Sequence, residues 1–335
     1  KMRKNKKIAV VTGGAGFIGS HMVDFLLKKD FIVNVIDDLS GGRFQNIKKN
    51  LNNKYFNFKK IDISKLKTNH KFFNKCDYIF HFAGKGDIVP SIENPLSYIN
   101  TNVMGTVKVL EAARKAKVKK FVYAASSSCY GLAKTPTSEI HKINPLYPYA
   151  MSKYQGENLC FHWSKLYNLP VNSIRIFNAY GPRVRTTGAY GAVFGVFFKQ
   201  KLENKPFTVV GNGNQKRDFV FVTDVVNAFY KAATNKVSGQ IFNLGSGKPK
   251  SVNELVKILG GKKIYIPKRP GEPNITHADT RKIKKILKWS PKISFKEGVN
   301  EMLKDINNWK SAPLWNQLSI KKATKSWFSY MKDKK

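Results

Sequence analysis

In Pro148-Tyr149-Ala150-Met151-Ser152-Lys153 a tyrosine and a lysine stand four residues apart, the spacing that sets two side chains on one face of a helix. A free phenol titrates near 10, so only about one tyrosine in a thousand is ionised at neutral pH. A neighbouring ammonium would favour the phenolate and make Tyr149 a general base. Alone, such a pair is common and usually structural; its weight comes from the rest of the chain. Upstream, Ala125-Ser126-Ser127-Ser128-Cys129-Tyr130-Gly131 follows an apolar run and places hydroxyls where ligands bind in parallel-sheet folds.

The element that would bring a cofactor to this pair lies near the start of the chain. An apolar run at 8–11 breaks into Thr12-Gly13-Gly14-Ala15-Gly16-Phe17-Ile18-Gly19, after which apolar residues recur at helical spacing. Gly14, Gly16 and Gly19 fit G-x-G-x-x-G, and Gly13, Gly16 and Gly19 fit the G-x-x-G-x-x-G variant. Glycines there let the backbone turn and approach a pyrophosphate, which then sits on free N–H groups at the helix start. The next apolar run ends in Asp37, close to the roughly 20 residues at which an acid meets the adenosine ribose. A carboxylate accepts from a 2′-hydroxyl and repels a 2′-phosphate, so NAD is favoured over NADP.

Apolar runs at 8–11, 31–36, 55–58, 78–82, 121–124 and 171–177 alternate with helical patterns, which predicts right-handed βαβ units and a parallel sheet. The second half is less regular, with strands at 207–210 and 264–266 and helices near 191–202 and 295–309. Residues 7–178 form the expected dinucleotide-binding domain and 179–335 a smaller lobe, with 219–245 returning to the main sheet through strands at 219–222 and 241–244.

The chain has 335 residues and a formal net charge of +39, which would attract polyanions. Its lysines are spread from Lys4 to Lys335 rather than gathered in an arm, as a general Lys and Asn bias would produce. Arginine is scarcer and more informative: Arg175, Arg183, Arg185, Arg217 and Arg269 fall where bidentate phosphate ligands would be wanted. Cys76, Cys129 and Cys160 lack the spacing of a zinc site or disulfide scaffold. No run is long and apolar enough to span a membrane, so the expected location is the cytosol.

Taken together, Thr12 to Gly19, Asp37, Asp62-Ile63, His81-Phe82-Ala83-Gly84, Asn102, Ser126 to Gly131, Tyr149 with Lys153, Asn178 to Arg183, Gln215 to Asp218 and Arg269-Pro270-Gly271-Glu272 resemble the extended short-chain dehydrogenase/reductases of the nucleotide-sugar epimerase and dehydratase family, most of all the UDP-galactose 4-epimerases. The resemblance runs from Ile8 to about Trp309. It implies a Rossmann-type doubly wound α/β fold with a smaller α+β substrate lobe, bound NAD, a UDP-linked sugar as substrate and a homodimer through helices near 101–115 and 152–167, with no nucleic-acid or membrane partner. It places Gly13, Gly16 and Gly19 at the pyrophosphate, Asp37 at the ribose, Asp62 and Ile63 at adenine, Phe82, Ala83 and Gly84 at the cofactor's middle and Lys153 at the nicotinamide ribose. Phe17, Ile18, Asp38, Asn102, Tyr149 and Phe177 complete the cofactor set. Ser126 would hydrogen-bond the sugar's 4-oxygen with Ser128 beside it, Asn178, Arg217 and Arg269 would hold the diphosphate, Glu272 the nucleotide ribose, and Thr276 would border the C2 substituent.

The same resemblance limits the reaction. Dehydratases of the family carry an acid directly after the catalytic hydroxyl residue, whereas Ser127 and Ser128 stand here and cannot move those protons. The family's lysine beyond the His-x-Ala-Gly turn is displaced, with Lys85 one position early and Gly86 in its place. The expected reaction is therefore an NAD-dependent 4-epimerisation through a transient 4-keto sugar. Other outcomes on the same fold (another epimerisation, 4-keto reduction, 4,6-dehydration or decarboxylation) form the second reading. A non-catalytic nucleotide- or nucleic-acid-binding protein, suggested only by the charge, is the third.

Overall fold

The computed structural model describes residues 6–186 and 193–331. Its strands are β1 (Ile8–Thr12), β2 (Ile32–Asp37), β3 (Phe56–Lys60), β4 (Tyr78–His81), β5 (Lys120–Ser126), β6 (Val171–Ile176), β7 (Asn178–Tyr180), β8 (Phe207–Val210), β9 (Lys216–Arg217), β10 (Phe219–Phe221), β11 (Gln240–Leu244), β12 (Lys250–Ser251) and β13 (Lys263–Ile266). Seven of them form one parallel sheet in the order β11-β6-β5-β4-β1-β2-β3. Helices cover both faces, which is why β1 and β4 at the centre of the sheet read as nearly continuous apolar runs. Met22, Val23, Val225 and Phe229 pack on one face against Val33, Val35, Phe80 and Val122. Val109, Leu110, Ala113 and Cys160 pack on the other against Val10, Ile79 and Phe121.

The strand order reverses direction between β1 and β4, and the crevice at such a switch point opens outside the carboxyl ends of the strands. Doubly wound α/β topology is thus the observed architecture. In the second half, β13 pairs parallel with β8 and β12 antiparallel with β9. Tyr180, Phe194, Phe198, Phe219, Phe221 and Trp309 centre a separate aromatic core there.

Of the two segments expected to return to the main sheet, β11 does so beside β6, whereas β10 pairs with β7 in a small ribbon of its own. Strand alternation explains the difference: Phe219 and Phe221 face the aromatic core while Val220 between them faces the main core. β10 is therefore a seam between the two cores. The helix expected from 191 is seen as Val193–Leu202, residues 191 and 192 lying outside the described residues. The one expected over 295–309 breaks into Phe295–Lys304 and a short 3₁₀ turn, Ile306–Trp309.

β11 is pinned by buried amides as well as by its ladder. Asn172 accepts from the Gln240 N–H and donates to Ala232 and Val237 carbonyls. Asn243 donates its backbone N–H to Glu139 and its side-chain N–H to the Thr137 carbonyl, and accepts from the Tyr130 hydroxyl at 2.7 Å.

Candidate functional site

A cleft of about 810 Å³ opens at the carboxyl edge of the sheet. On its cofactor side the backbone does most of the shaping. Gly13 leaves β1 at φ +69°, and a Cβ there would stand 2.6 Å from the Ala83 nitrogen, so conformation and close approach both demand glycine. A Cβ on Gly19 would lie 2.1 Å from the Gly13 carbonyl oxygen, which lets the helix Phe17–Lys28 seat directly on the turn. That helix starts from Gly16 with no side-chain cap and no acid in its first turn, leaving its positive end to face the cleft. Gly16, Phe17, Ile18, Asp38, Asp62, Ile63, Phe82, Ala83, Gly84 and Phe177 also line the cleft.

Asp37 at the end of β2 accepts from the Ala15 and Leu39 N–H groups at 2.9 and 2.8 Å. Burial pushes its carboxyl above the usual range, and these N–H bonds oppose that shift. Asn102 stands behind the wall, buried, where its amide accepts from the Lys85 N–H and donates to the Lys85 carbonyl and Ser152 hydroxyl. Its contact is with the loop that follows β4, which it clamps to the helix Pro148–Tyr167. An acid at one end, an uncapped helix start in the middle and a buried lysine at the other are the donors and acceptors an extended NAD requires, and the residues present fit it.

The catalytic candidates meet at the carboxyl end of β5. Pro148 opens the helix Pro148–Tyr167, where its missing N–H costs nothing, and the first turns carry Tyr149 and Lys153. The Ser126 hydroxyl and the Tyr149 phenol line the same cleft. Burial raises this phenol above its ordinary value, the nearby Ser126 hydroxyl opposes the rise, and the charge of Asp87 adds to it. Lys153 lies over the Tyr123 ring at 4.6 Å, and burial pulls its ammonium down to about 8. Tyr149 and Lys153 thus share the first turns of one helix and line one cleft with Ser126, while the ammonium faces the Tyr123 ring. Across the cleft Asp87 is tied to Arg185 at 2.7 Å.

The substrate candidates gather on the second lobe. Glu272 bridges two arginines, accepting from Arg217 at 2.6 Å and from Arg269 at 2.8 and 3.0 Å. Positions far apart in sequence therefore form one cluster, which the spacing alone does not reveal. Thr276 donates to the Asn178 side chain at 2.8 Å and accepts from the Asp218 N–H, so its hydroxyl ties β7 to the segment following β9. The Ser128 hydroxyl opposes the upward push that burial gives the Tyr147 phenol.

Not all five arginines serve a ligand. Arg175 is buried and committed to Glu157 and the Tyr130 hydroxyl, which makes it a structural cation inside the fold. Arg183 lines the cleft but pairs with Asp24 at 2.6 Å. Sequence reasoning also missed Tyr147. It caps the helix that carries the candidate base, its ring lies nearly parallel to that of Tyr149 with centroids 6.3 Å apart, and it feels the charges of Glu272 and Arg217. Its position two residues before Tyr149, ahead of a helix-opening proline, was the available signal.

The family model for NAD dependent epimerase/dehydratase proteins matches residues 9–245. A UDP-glucose 4-epimerase of Mycolicibacterium smegmatis is 36% identical over 308 residues, covering 89% of this chain and 98% of the relative. A UDP-N-acetyl-alpha-D-glucosaminuronate decarboxylase of Bacillus cytotoxicus is 33% identical over 325 residues, covering 89% and 97%. Among solved structures, a UDP-N-acetylglucosamine 4-epimerase from Methanobrevibacter ruminantium superposes with a TM-score of 0.85 at 30% identity, covering 91% of this chain and 98% of that one. With the glycine turn, Asp37 and the Ser126, Tyr149 and Lys153 group in one cleft, this chain is an enzyme of the NAD-dependent epimerase/dehydratase family, built on the extended short-chain dehydrogenase/reductase fold.

Proposed function

We propose that the protein is an NAD-dependent nucleotide-sugar 4-epimerase acting on a UDP-hexose or UDP-N-acetylhexosamine. The observation that carries this reading is a single cleft lined by Ser126, Tyr149 and Lys153, with serines at 127 and 128. Asp87, a carboxylate on the same cleft, is engaged by Arg185 and so is poorly placed to shuttle the protons a dehydration needs.

Bound NAD supplies hydride acceptance and return at C4. Tyr149 removes the proton of the 4-hydroxyl while Ser126 holds the 4-oxygen. Lys153 binds the nicotinamide ribose. Arg217 and Arg269 keep the diphosphate anchored while the flat 4-keto sugar turns over, after which Tyr149 returns the proton to the oxygen on the other face. Glu272 meets the nucleotide ribose and Asn178 the diphosphate. Assembly as a homodimer agrees with exposed Met104, Met151, Leu166 and Tyr167 on and beside the two helices expected to pair.

The test is incubation with UDP-linked and other nucleotide sugars, with no cofactor added, followed by NMR of the products. The expected product is the C4 epimer of a UDP-sugar. Loss of water or of carbon dioxide, or a requirement for added NADPH, would replace this reading with another outcome of the same fold.

A further inference from the structure

The segment 313–331 lies beyond the stretch, Ile8 to about Trp309, that resembles the family. The segment nevertheless lines the site. Pro313 and Trp315 form part of the main cleft, and Phe328 borders the adjoining hollow walled by Arg269 and Glu272.

Its final helix, Lys325–Met331, packs against both the helix Ile88–Glu93 and the 269–272 turn. Ser326 donates to Glu93 at 2.8 Å on the helix Ile88–Glu93, which begins directly after Asp87. Trp327 packs with Val89, Met331, Leu146 and Tyr147, so it also touches the turn that leads into the Tyr149 helix. Its indole N–H donates to the Pro270 carbonyl at 2.7 Å, and its ring faces the Arg269 guanidinium at 5.2 Å. Met331 rests against Gly271, whose φ of +67° shapes the 269–272 turn. One buried tryptophan thus fixes both the turn that carries Arg269 and the face that this arginine presents.

We propose that Trp327 is a positioning residue for substrate binding, holding Arg269 and the 269–272 turn in the orientation that receives the substrate's diphosphate. This rests on the reading of Arg269 as a diphosphate ligand. An indole under a guanidinium restricts its planar fork through the ring face and leaves the hydrogen-bonding edge to other partners, Glu272 among them. The hydrogen bond to Pro270 fixes the ring itself.

The experiment compares Trp327→Ala, Trp327→Phe and Arg269→Ala in the full chain, using the UDP-sugar that the wild type epimerises. Trp327→Ala should raise KM about five- to tenfold, the scale of a partly buried cation–π contact, with kcat and NAD affinity little changed alongside the fall in Tm that truncating a buried tryptophan brings. Trp327→Phe keeps a ring beneath the guanidinium and should recover much of that loss. Arg269→Ala should raise KM at least as far as Trp327→Ala. An unaltered KM in Arg269→Ala would remove the diphosphate reading and this proposal with it. A raised KM in Arg269→Ala with wild-type KM in Trp327→Ala would overturn the proposal alone. So would a joint fall of kcat, NAD affinity and Tm that Trp327→Phe does not relieve, because that pattern marks simple loss of packing.

Discussion

The proposed cofactor side of the cleft and the arginine cluster proposed to meet the substrate are built by opposite means. On the first, the fit comes from main chain: strand ends, a left-handed glycine and an uncapped helix start, nearly all within the first 84 residues. On the second, it comes from long side chains held by one another, with Arg217, Arg269 and Glu272 bridged across the smaller lobe and Trp327 closing over them. Backbone shape tolerates few substitutions but requires no particular charge. A side-chain cluster is adjustable and can be retuned one residue at a time, which suits a fold whose cofactor is constant while its sugars differ.

The largest expected effect lies where the two sides meet. Tyr149→Phe should lower kcat by about 10²-fold or more, as loss of a general base does, while NAD affinity and Tm stay near wild type; stopped assays across a pH series would show it. Near-normal turnover would remove Tyr149 from the chemistry and leave the cleft as two binding halves without a shared centre. Next comes the substrate cluster. Arg217→Ala should raise KM for the nucleotide sugar about 10- to 100-fold, the scale of hydrogen bonds to a charged group, and should leave NAD affinity unchanged. An equal loss on both ligands would erase the distinction between the two sides.

A smaller effect is expected for Asp37→Asn, which keeps the carboxamide oxygen as an acceptor but removes the charge. Titration should show NAD binding weakened and the preference for NAD over NADP narrowed by about tenfold. Tighter binding of NADP than NAD by the wild type would contradict the assignment. The smallest effect concerns stability. Burial holds the folded Lys153 at about 8, below its ordinary lysine value, so folding carries a penalty for the cation at low pH that fades as pH rises through about 8. Lys153→Met, measured without ligand, should therefore gain most in Tm over the wild type below that pH, with the gap narrowing above it. A pH-independent gap would mean that the ammonium is better solvated than its surroundings imply.

What could be read from the sequence follows the same division. Strands β1 to β6 and β11 were legible because a sheet covered on both faces writes itself as short apolar runs, and the glycine turn because its spacing is local. The partner of β10 was not, since three residues split between two cores carry no period long enough to show which sheet they join. Arg175 looked like a ligand and proved to be a buried partner of Glu157, a distinction that depends on position in the fold and not on residue type. Tyr147 and Trp327 escaped notice because each acts through a neighbour brought in from a distant part of the chain.

The amides that pin β11 bear on how the protein reaches its native state. This strand joins the sheet only after the chain has left β6, built much of the smaller lobe and come back, so its pairing closes a long loop late. Apolar residues alone would reward several alignments against β6, and a slip by one would turn every side chain to the wrong face. Asn172 and Asn243 punish each slip by leaving buried polar groups unsatisfied. They act as a proofreading device for chain threading, and because Asn243 is bonded to Tyr130 in the turn after Ser126, the same check aligns the edge of the sheet with its reactive centre.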